Sequence, residues 1–236
     1  MLLFIIPYCA AKCKSGIPEK RHRFMETEKK YDAAPSADVL AVMENLKKRG
    51  FRARWFATRA EAADALMAEL RPDETVGIGG SVTVRELGVY DRLVERGNRV
   101  YWHWMAAKED GDVRPNALTA DAYLCSTNAL MRSGELVNID GQGNRVAAMF
   151  YGPKRAFIIC GENKLVDSYD DAIARIKNVT CPQNARRLHM DTPCAKTGKC
   201  YECAAGLRMC RVTVRYSYPL PSRETNVWLV GEAMGY

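Results

Sequence analysis

A three-layer α/β/α sandwich with a largely parallel sheet, carrying a small cysteine-rich appendage, is the fold class this sequence predicts. Three observations carry that reading. From Phe51 onward β-favouring runs alternate with helical patterns, the order that lays strands in parallel with helices over both faces. Ala156-Phe-Ile-Ile-Cys160 is a continuous apolar run between Pro153 and Gly161, which reads as a strand covered on both sides. After about residue 180 the composition changes, and five of the chain's nine cysteines fall within residues 181–210.

Taken in order, residues 1–24 begin with an apolar run too short to span a bilayer and without basic residues ahead of it. This leader is set apart as an upstream extension or tail, with a weak signal or surface anchor as the lesser alternative, and Cys9 and Cys13 go with it. It holds +4 of the formal charge of +7, so the body is only mildly basic. No interleaving of basic and aromatic residues marks a nucleic-acid surface. A cytoplasmic protein with no transmembrane segment is expected, divided into an α/β domain over 25–180, a cysteine-rich insertion over 181–211 and returning strands over 212–236.

In the domain, Val39, Leu40, Val42, Met43 and Leu46 recur at helical spacing, and Lys47-Lys-Arg-Gly50 supplies a cationic last turn and a stop. Phe51 to Phe56 reads as a strand. Thr58 with Glu61 is a capping-box pattern that opens a helix through Leu70. Thr75 to Gly79 is a short strand running into Gly80-Ser81, followed by a helix from Val84. Arg99 to Trp104 is the next strand, with Trp102 and Trp104 on one face and Tyr101 and His103 on the other; His103 reads as structural before it reads as an acid or base. Ala122 to Ser126 is a strand, Leu136 to Ile139 another, and Ser168 caps a helix that ends near Val179. Cys125 and Cys160 sit in apolar runs as small hydrophobes rather than nucleophiles.

Two stretches carry candidate chemistry. Strand, glycine turn and helix in succession let Gly79, Gly80, Ser81 and Thr83 cradle a phosphate or carboxylate. The alternative is a tight turn with Ser81 or Thr83 as a simple cap. Neither the P-loop spacing nor the full dinucleotide fingerprint is present. Along Thr127–Lys164 the polar groups Asn128, Glu135, Asn138, Asp140, Asn144 and Lys164 crowd at strand ends and turns, where α/β proteins place their ligands.

Cys181, Cys194, Cys200, Cys203 and Cys210 are separated by twelve, five, two and six residues. With no convincing export signal, a disulfide framework is disfavoured. The two-residue gap of Cys200-Tyr-Glu-Cys203 lets both thiolates face one metal, and Cys194 and Cys210 close the set, with Cys181 as a fifth or substitute ligand. Zinc and an iron–sulfur cluster both accept four thiolates, so spacing leaves the metal open. Free thiols that bind nothing are the alternative.

The blocks Ser133-Gly-Glu-Leu-Val-Asn-Ile-Asp140 with Gly143-Asn-Arg-Val146, Gly152-Pro-Lys-Arg155, Gly161-Glu-Asn-Lys-Leu-Val166 and Gly77-Ile-Gly-Gly-Ser-Val-Thr-Val-Arg-Glu-Leu-Gly88 together resemble the lactate-utilisation (LUD) domain family, from about Ala37 to the C-terminus. The resemblance implies the fold shared by sugar-phosphate isomerases and coenzyme A transferases. It also implies an accessory role in oxidising L-lactate to pyruvate beside iron–sulfur oxidoreductase subunits, with a small carboxylate or phosphorylated ligand and a metal centre on the added cysteines. The alternatives are an enzyme acting on a sugar phosphate or coenzyme A ester, and a non-catalytic, metal-stabilised interaction module. In the enzyme reading Glu135 is nucleophile or base, Asp140 a second carboxylate and Lys164 an anion-neutralising cation.

Overall fold

The computed structural model describes residues 34–204, 206 and 208–236; the leader at 1–24, with Cys9 and Cys13, lies outside the described residues. In chain order the elements are α1 (Ala37–Lys48), β1 (Arg52–Phe56), α2 (Arg59–Glu69), β2 (Val76–Ile78), α3 (Val82–Leu87), α4 (Val89–Glu95), β3 (Val100–Trp102), α5 (Arg114–Leu118), β4 (Ala122–Cys125), β5 (Ala129–Met131), β6 (Leu136–Asp140), α6 (Asn144–Phe150), β7 (Arg155–Gly161), β8 (Leu165–Val166), α7 (Tyr169–Arg175), α8 (Cys181–Arg187), α9 (Pro193–Thr197), β9 (Val212–Tyr216) and β10 (Glu224–Val230).

Six strands form the main sheet in the order β1-β10-β7-β4-β2-β3, and every neighbouring pair is parallel. Side chains of successive strand residues leave opposite faces, and both faces here are covered. Phe157, Ile159, Trp228 and Val230 enter one core with Ala62 and Leu66 of α2, Leu87 of α3 and Leu93 of α4. Ile158, Cys160, Val227 and Leu229 enter the other, with Val39, Val42 and Leu46 of α1 and Val146 and Met149 of α6. The expected α/β sandwich is therefore present, and the apolar run at Ala156–Cys160 sits inside it.

A second sheet, β8-β5-β6-β9, lies beyond that core. Its β5 and β6 pair antiparallel, as do β6 and β9, while β5 and β8 are parallel. Leu130 and Leu136 face the main sheet's second core. Ala129, Met131 and Val137 face outward onto Ala172, Ile176 and Cys181. Of the two strands expected to return to the main sheet after the cysteine-rich segment, β10 does so and β9 joins the small sheet instead. The helix opened by Ser168, which accepts from the Asp171 N–H at 3.1 Å, does not stop near Val179. It passes through a π-helical turn, Ile176–Thr180, into α8. Pro182, the second residue of α8, stands directly after that π-helical turn.

Candidate functional site

A cavity of about 540 Å³ opens where the parallel strands β2, β4 and β7 end, the place where open α/β sheets carry ligands. Three strand-end loops build its floor. Gly79, Gly80 and Ser81 follow β2, Ser126 and Thr127 follow β4, and Lys164 closes a 3-10 turn, Glu162–Lys164, after β7. Lys164 joins all three. It is 3% exposed and donates to Thr83 Oγ1 at 2.8 Å, Ser126 Oγ at 3.0 Å and the Thr127 carbonyl at 3.3 Å.

None of those partners is charged. Burial in low dielectric disfavours the ammonium and lowers its pKa to about 8, with Arg175 and Arg145 pushing the same way and Cys160 and Glu86 opposing. The chain approaches this amine closely at Gly235, where φ is +57° and an added Cβ would stand 2.5 Å from Thr83 Oγ1 and 3.4 Å from Lys164 Nζ. Ser81 caps α3 by accepting from the Val84 N–H at 3.2 Å, so the plain cap reading of that serine is realised while it still lines the cavity. Gly80 lines it too; Gly79 does not, and an added Cβ there would meet the Tyr123 hydroxyl at 2.6 Å.

The polar cluster of 128–144 converges on a residue that the sequence did not single out. Arg145, in the first turn of α6, is 8% exposed. Its Nε faces Asp140 Oδ2 at 3.1 Å. Its Nη1 donates to the Ser126 carbonyl at 2.9 Å and Asn138 Oδ1 at 2.6 Å, and its Nη2 to Asn128 Oδ1 and the Ile139 carbonyl at 3.2 Å each. Asp140 Oδ1 meanwhile accepts from the Gln142 and Gly143 N–H groups at 3.1 and 2.9 Å. Asn128, Asp140 and Asn144 border the cavity, and Asn138 is buried behind it. With both oxygens engaged, Asp140 is a support for the floor rather than a free second carboxylate.

Glu135 is the expectation that the geometry redirects. Among the described residues lining the cavity it does not appear. Its carboxylate, 5% exposed, accepts from Arg215 Nε and Nη2 at 2.9 Å each, Ser217 Oγ at 2.8 Å and Ser133 Oγ at 3.0 Å, with Arg49 Nη2 at 3.4 Å. It fastens β6 to β9 and to the end of α1. Burial raises its pKa, but the hydrogen bonds from Ser217, Arg215 and Ser133 and the charge of Arg49 outweigh that and leave it below the ordinary carboxylate value.

Glu135→Gln is accordingly expected to cost about 2–3 kcal/mol at pH 7, the scale of hydrogen bonds to a charged group. A carboxylate with a depressed folded pKa stabilises fully above its unfolded pKa, about 4.3, and loses that contribution as pH falls through the folded value. Urea unfolding should thus show wild type and variant separated at pH 7 and converging in acid. A constant gap down to pH 2 would remove the charge from the explanation.

The rest of the wall is cationic and sulfurous. Arg187, Arg208 and Arg211 line it, and Asp140 is the one carboxylate side chain among the described lining residues. Arg187 lies 4.5 Å over the Trp104 ring and donates to the Tyr236 hydroxyl at 3.0 Å. His103 also lines the cavity; burial lowers its pKa, as does Arg114. Cys181 and Cys210 both border it and pack in one cluster. The interaction between the two thiols raises Cys181, with burial and the neighbouring Cys194 and Cys200 adding to it. The same interaction, helped by Arg208, lowers Cys210.

Cys194 lies 3.3 Å from the Thr192 hydroxyl, the Cys200 sulfur accepts from the Glu202 N–H at 3.5 Å, and the Cys203 carbonyl accepts from Arg208 at 3.1 Å. Cys194, Cys200 and Cys203 do not line the cavity. Cys125 and Cys160 are fully buried, and burial pushes their thiols up to about 12 and about 11, as small hydrophobes require. No helix among the described residues is long and apolar enough to cross a membrane.

Comparison with known proteins bears on the whole assembly. A family model for the LUD domain matches residues 40–229. Among solved structures the chain is similar to a DUF162 family protein from Deinococcus radiodurans, with a TM-score of 0.51 and 14% identity over 84% of this chain and 100% of that one; at such identity the likeness concerns the fold alone. No curated protein matches the chain.

Proposed function

This chain belongs to the LUD domain family, and from that premise we propose that it is an accessory component of L-lactate utilisation, the oxidation of lactate to pyruvate, with a small carboxylate or phosphorylated ligand held in the cavity over Lys164. The observation that carries the ligand is Lys164 itself. A lysine side chain 3% exposed, with only hydroxyl and carbonyl partners, leaves a buried cation without a counter-charge in a cavity otherwise edged by guanidinium groups. An anion supplies what the chain does not.

The cysteines support a thiolate metal centre, iron–sulfur or zinc, in the wall of the same cavity. Cys181 and Cys210 both border it and pack in one cluster. The donor set is all sulfur, which suits both metals. In this reading Cys181 joins the ligand set, where spacing made it a substitute. Among the described residues no three such side chains already surround one point, and in this reading Cys194, Cys200 and Cys203 would supply the remaining thiolates. An iron–sulfur cluster would supply one-electron transfer to the oxidoreductase subunits that are its partners in this reading; zinc would supply structure.

The test is a thermal shift with lactate, pyruvate and phosphate, together with metal and acid-labile sulfide analysis of protein purified without oxygen. A ligand at about a hundred times its Kd adds roughly 2.7 kcal/mol of stability. Iron and sulfide lost together in Cys181→Ser and in Cys210→Ser would support the redox role, and retention of the partner subunits in a pull-down would support the accessory role. No metal in the wild type would remove the thiolate centre. No response to any acid or phosphate would favour the interaction-module alternative. The cavity volume favours a second reading, an enzyme on a sugar phosphate or coenzyme A ester, because about 540 Å³ lies within the range of sites for ligands far larger than a three-carbon acid. In that reading the chemistry centres on Lys164, since Glu135 is held elsewhere.

A further inference from the structure

An ammonium buried for structural reasons is ordinarily met by a carboxylate. Lys164 is not: its Nζ contacts are the Thr83 and Ser126 hydroxyls, at 2.8 and 3.0 Å, and the Thr127 carbonyl at 3.3 Å. The charged groups that bear on it divide, Arg145 and Arg175 against the cation and Glu86 and Cys160 for it. Arg145 is already committed to Asp140, and Arg175 donates to the Asn128 carbonyl at 2.8 Å. What remains is an amine at the floor of a roomy cavity, held by one carbonyl and two hydroxyls; the hydroxyls donate to the Met234 and Thr127 carbonyls at 3.4 and 3.2 Å and could turn to donate to a neutral nitrogen. Hydroxyls of that kind serve a neutral amine as well as a charged one, and desolvation makes the neutral form accessible.

We propose that Lys164 is a nucleophilic amine that condenses with the carbonyl carbon of a small carboxylate- or phosphate-bearing carbonyl compound to form an imine. The proposal rests on the reading of the cavity as an anion site, and adds a covalent step and a substrate class to it. The Nζ lone pair attacks the carbonyl carbon, and the carbonyl π pair moves to oxygen, which takes up a proton. The resulting carbinolamine loses that oxygen as water, and nitrogen gives up its remaining protons to leave the C=N bond. One water is released and nothing is oxidised or reduced. The Thr83 and Ser126 hydroxyls, both within 3.0 Å of the nitrogen, are placed to relay the proton to the departing oxygen. The cationic wall of Arg187, Arg208 and Arg211 selects carbonyl compounds that carry a negative group.

The experiment is reductive trapping on the full chain. Protein is mixed with pyruvate, dihydroxyacetone phosphate or neutral acetone, treated with borohydride, digested and mapped by mass spectrometry. The expected result is one added group per chain, on the peptide containing Lys164, from pyruvate or from dihydroxyacetone phosphate, with acetone far slower. The arm that labels distinguishes an oxo acid from a phosphorylated ketone. A pKa near 8 raises the free-amine fraction from about a tenth at pH 7 to about nine tenths at pH 9, so labelling should accelerate roughly ninefold. Because mapping is done on the wild type, the result does not depend on a Lys164 variant folding.

Absence of label at Lys164, with lactate, pyruvate or phosphate still raising the Tm, would overturn the imine and leave the anion site standing. Absence of both label and thermal response would overturn both. Equal labelling by acetone, spread over surface lysines, would also overturn the imine.

Discussion

Arg145→Ala is expected to destabilise the protein by about 3–5 kcal/mol, the cost of removing one partner of a buried ion pair. The guanidinium spends its N–H groups on five oxygens: Asp140 Oδ2, the carbonyls of Ser126 and Ile139, and the side-chain oxygens of Asn128 and Asn138. Truncation leaves the Asp140 carboxylate, whose side chain is 9% exposed, without its cation. It also leaves Asn138, fully buried, short of a donor. The loops after β4 and β6 lose their common anchor, so the thermal response to anions should disappear along with the stability. Lysine cannot span five acceptors from a single nitrogen, so Arg145→Lys should recover little. Urea unfolding of both variants decides it, and an Arg145→Lys protein within about half a kcal/mol of wild type would refute the five-acceptor account.

Lys164→Met should act with the opposite sign. Lowering the lysine pKa from 10.5 to about 8 corresponds to about 3 kcal/mol of folded-state cost, which an apolar side chain of similar length removes. Below pH 8 both folded and unfolded lysine are charged, and the folded protein bears that cost in full. Between about pH 8 and 10.5 the unfolded chain holds more protons, so wild-type stability climbs with pH, whereas the variant lacks that rise. The gain of the variant over wild type should therefore be largest at neutral pH and vanish in alkali. Its response to lactate, pyruvate and phosphate should be lost, the usual exchange of stability for function at such a position. A variant less stable than wild type at pH 7 would show that the three hydrogen bonds outweigh the desolvation, and one that still answers to anions would remove Lys164 from the site.

Much of the fold was legible because local pattern and burial agree. Ala156–Cys160 carries apolar side chains on both faces, and both cores use them. Thr58 accepts from the Glu61 N–H at 3.2 Å, as the spacing of those residues anticipates. Other parts depend on partners distant in sequence. The alternation of Val212–Tyr216 announces a strand but not which sheet receives it. Asn144–Phe150 follows Asp140-Gly-Gln-Gly143 and itself begins with an asparagine, so a seven-residue helix there reads as a continuing turn. Inside that helix lies Arg145, whose signal was indirect: Asn128, Asn138 and Asp140 on buried or half-buried strand ends demand a donor, and an arginine follows soon after. The meeting of Lys164 with Thr83 and Ser126 is set by the parallel register of β2, β4 and β7, and no local property of those residues foretells it. The strand at Arg99–Trp104 stops at Trp102, and Trp104 turns away to stack on Trp102 at 5.5 Å and beneath Arg187.

The position of β10 has a further consequence. It lies between β1 and β7, and β1, at the sheet's edge, has no other neighbour among the described strands. Among the described strands, the first to leave the ribosome, β1, thus waits for β10, which follows all the others. Until residues 224–230 emerge, β2, β3, β4 and β7 can assemble, but one side of β7 stays open to strangers and β1 has nowhere to dock. Closing so long a loop is slow, and a nascent chain held in that state is exposed to aggregation. The docking of β1 is thus deferred until a strand made long after it has been synthesised.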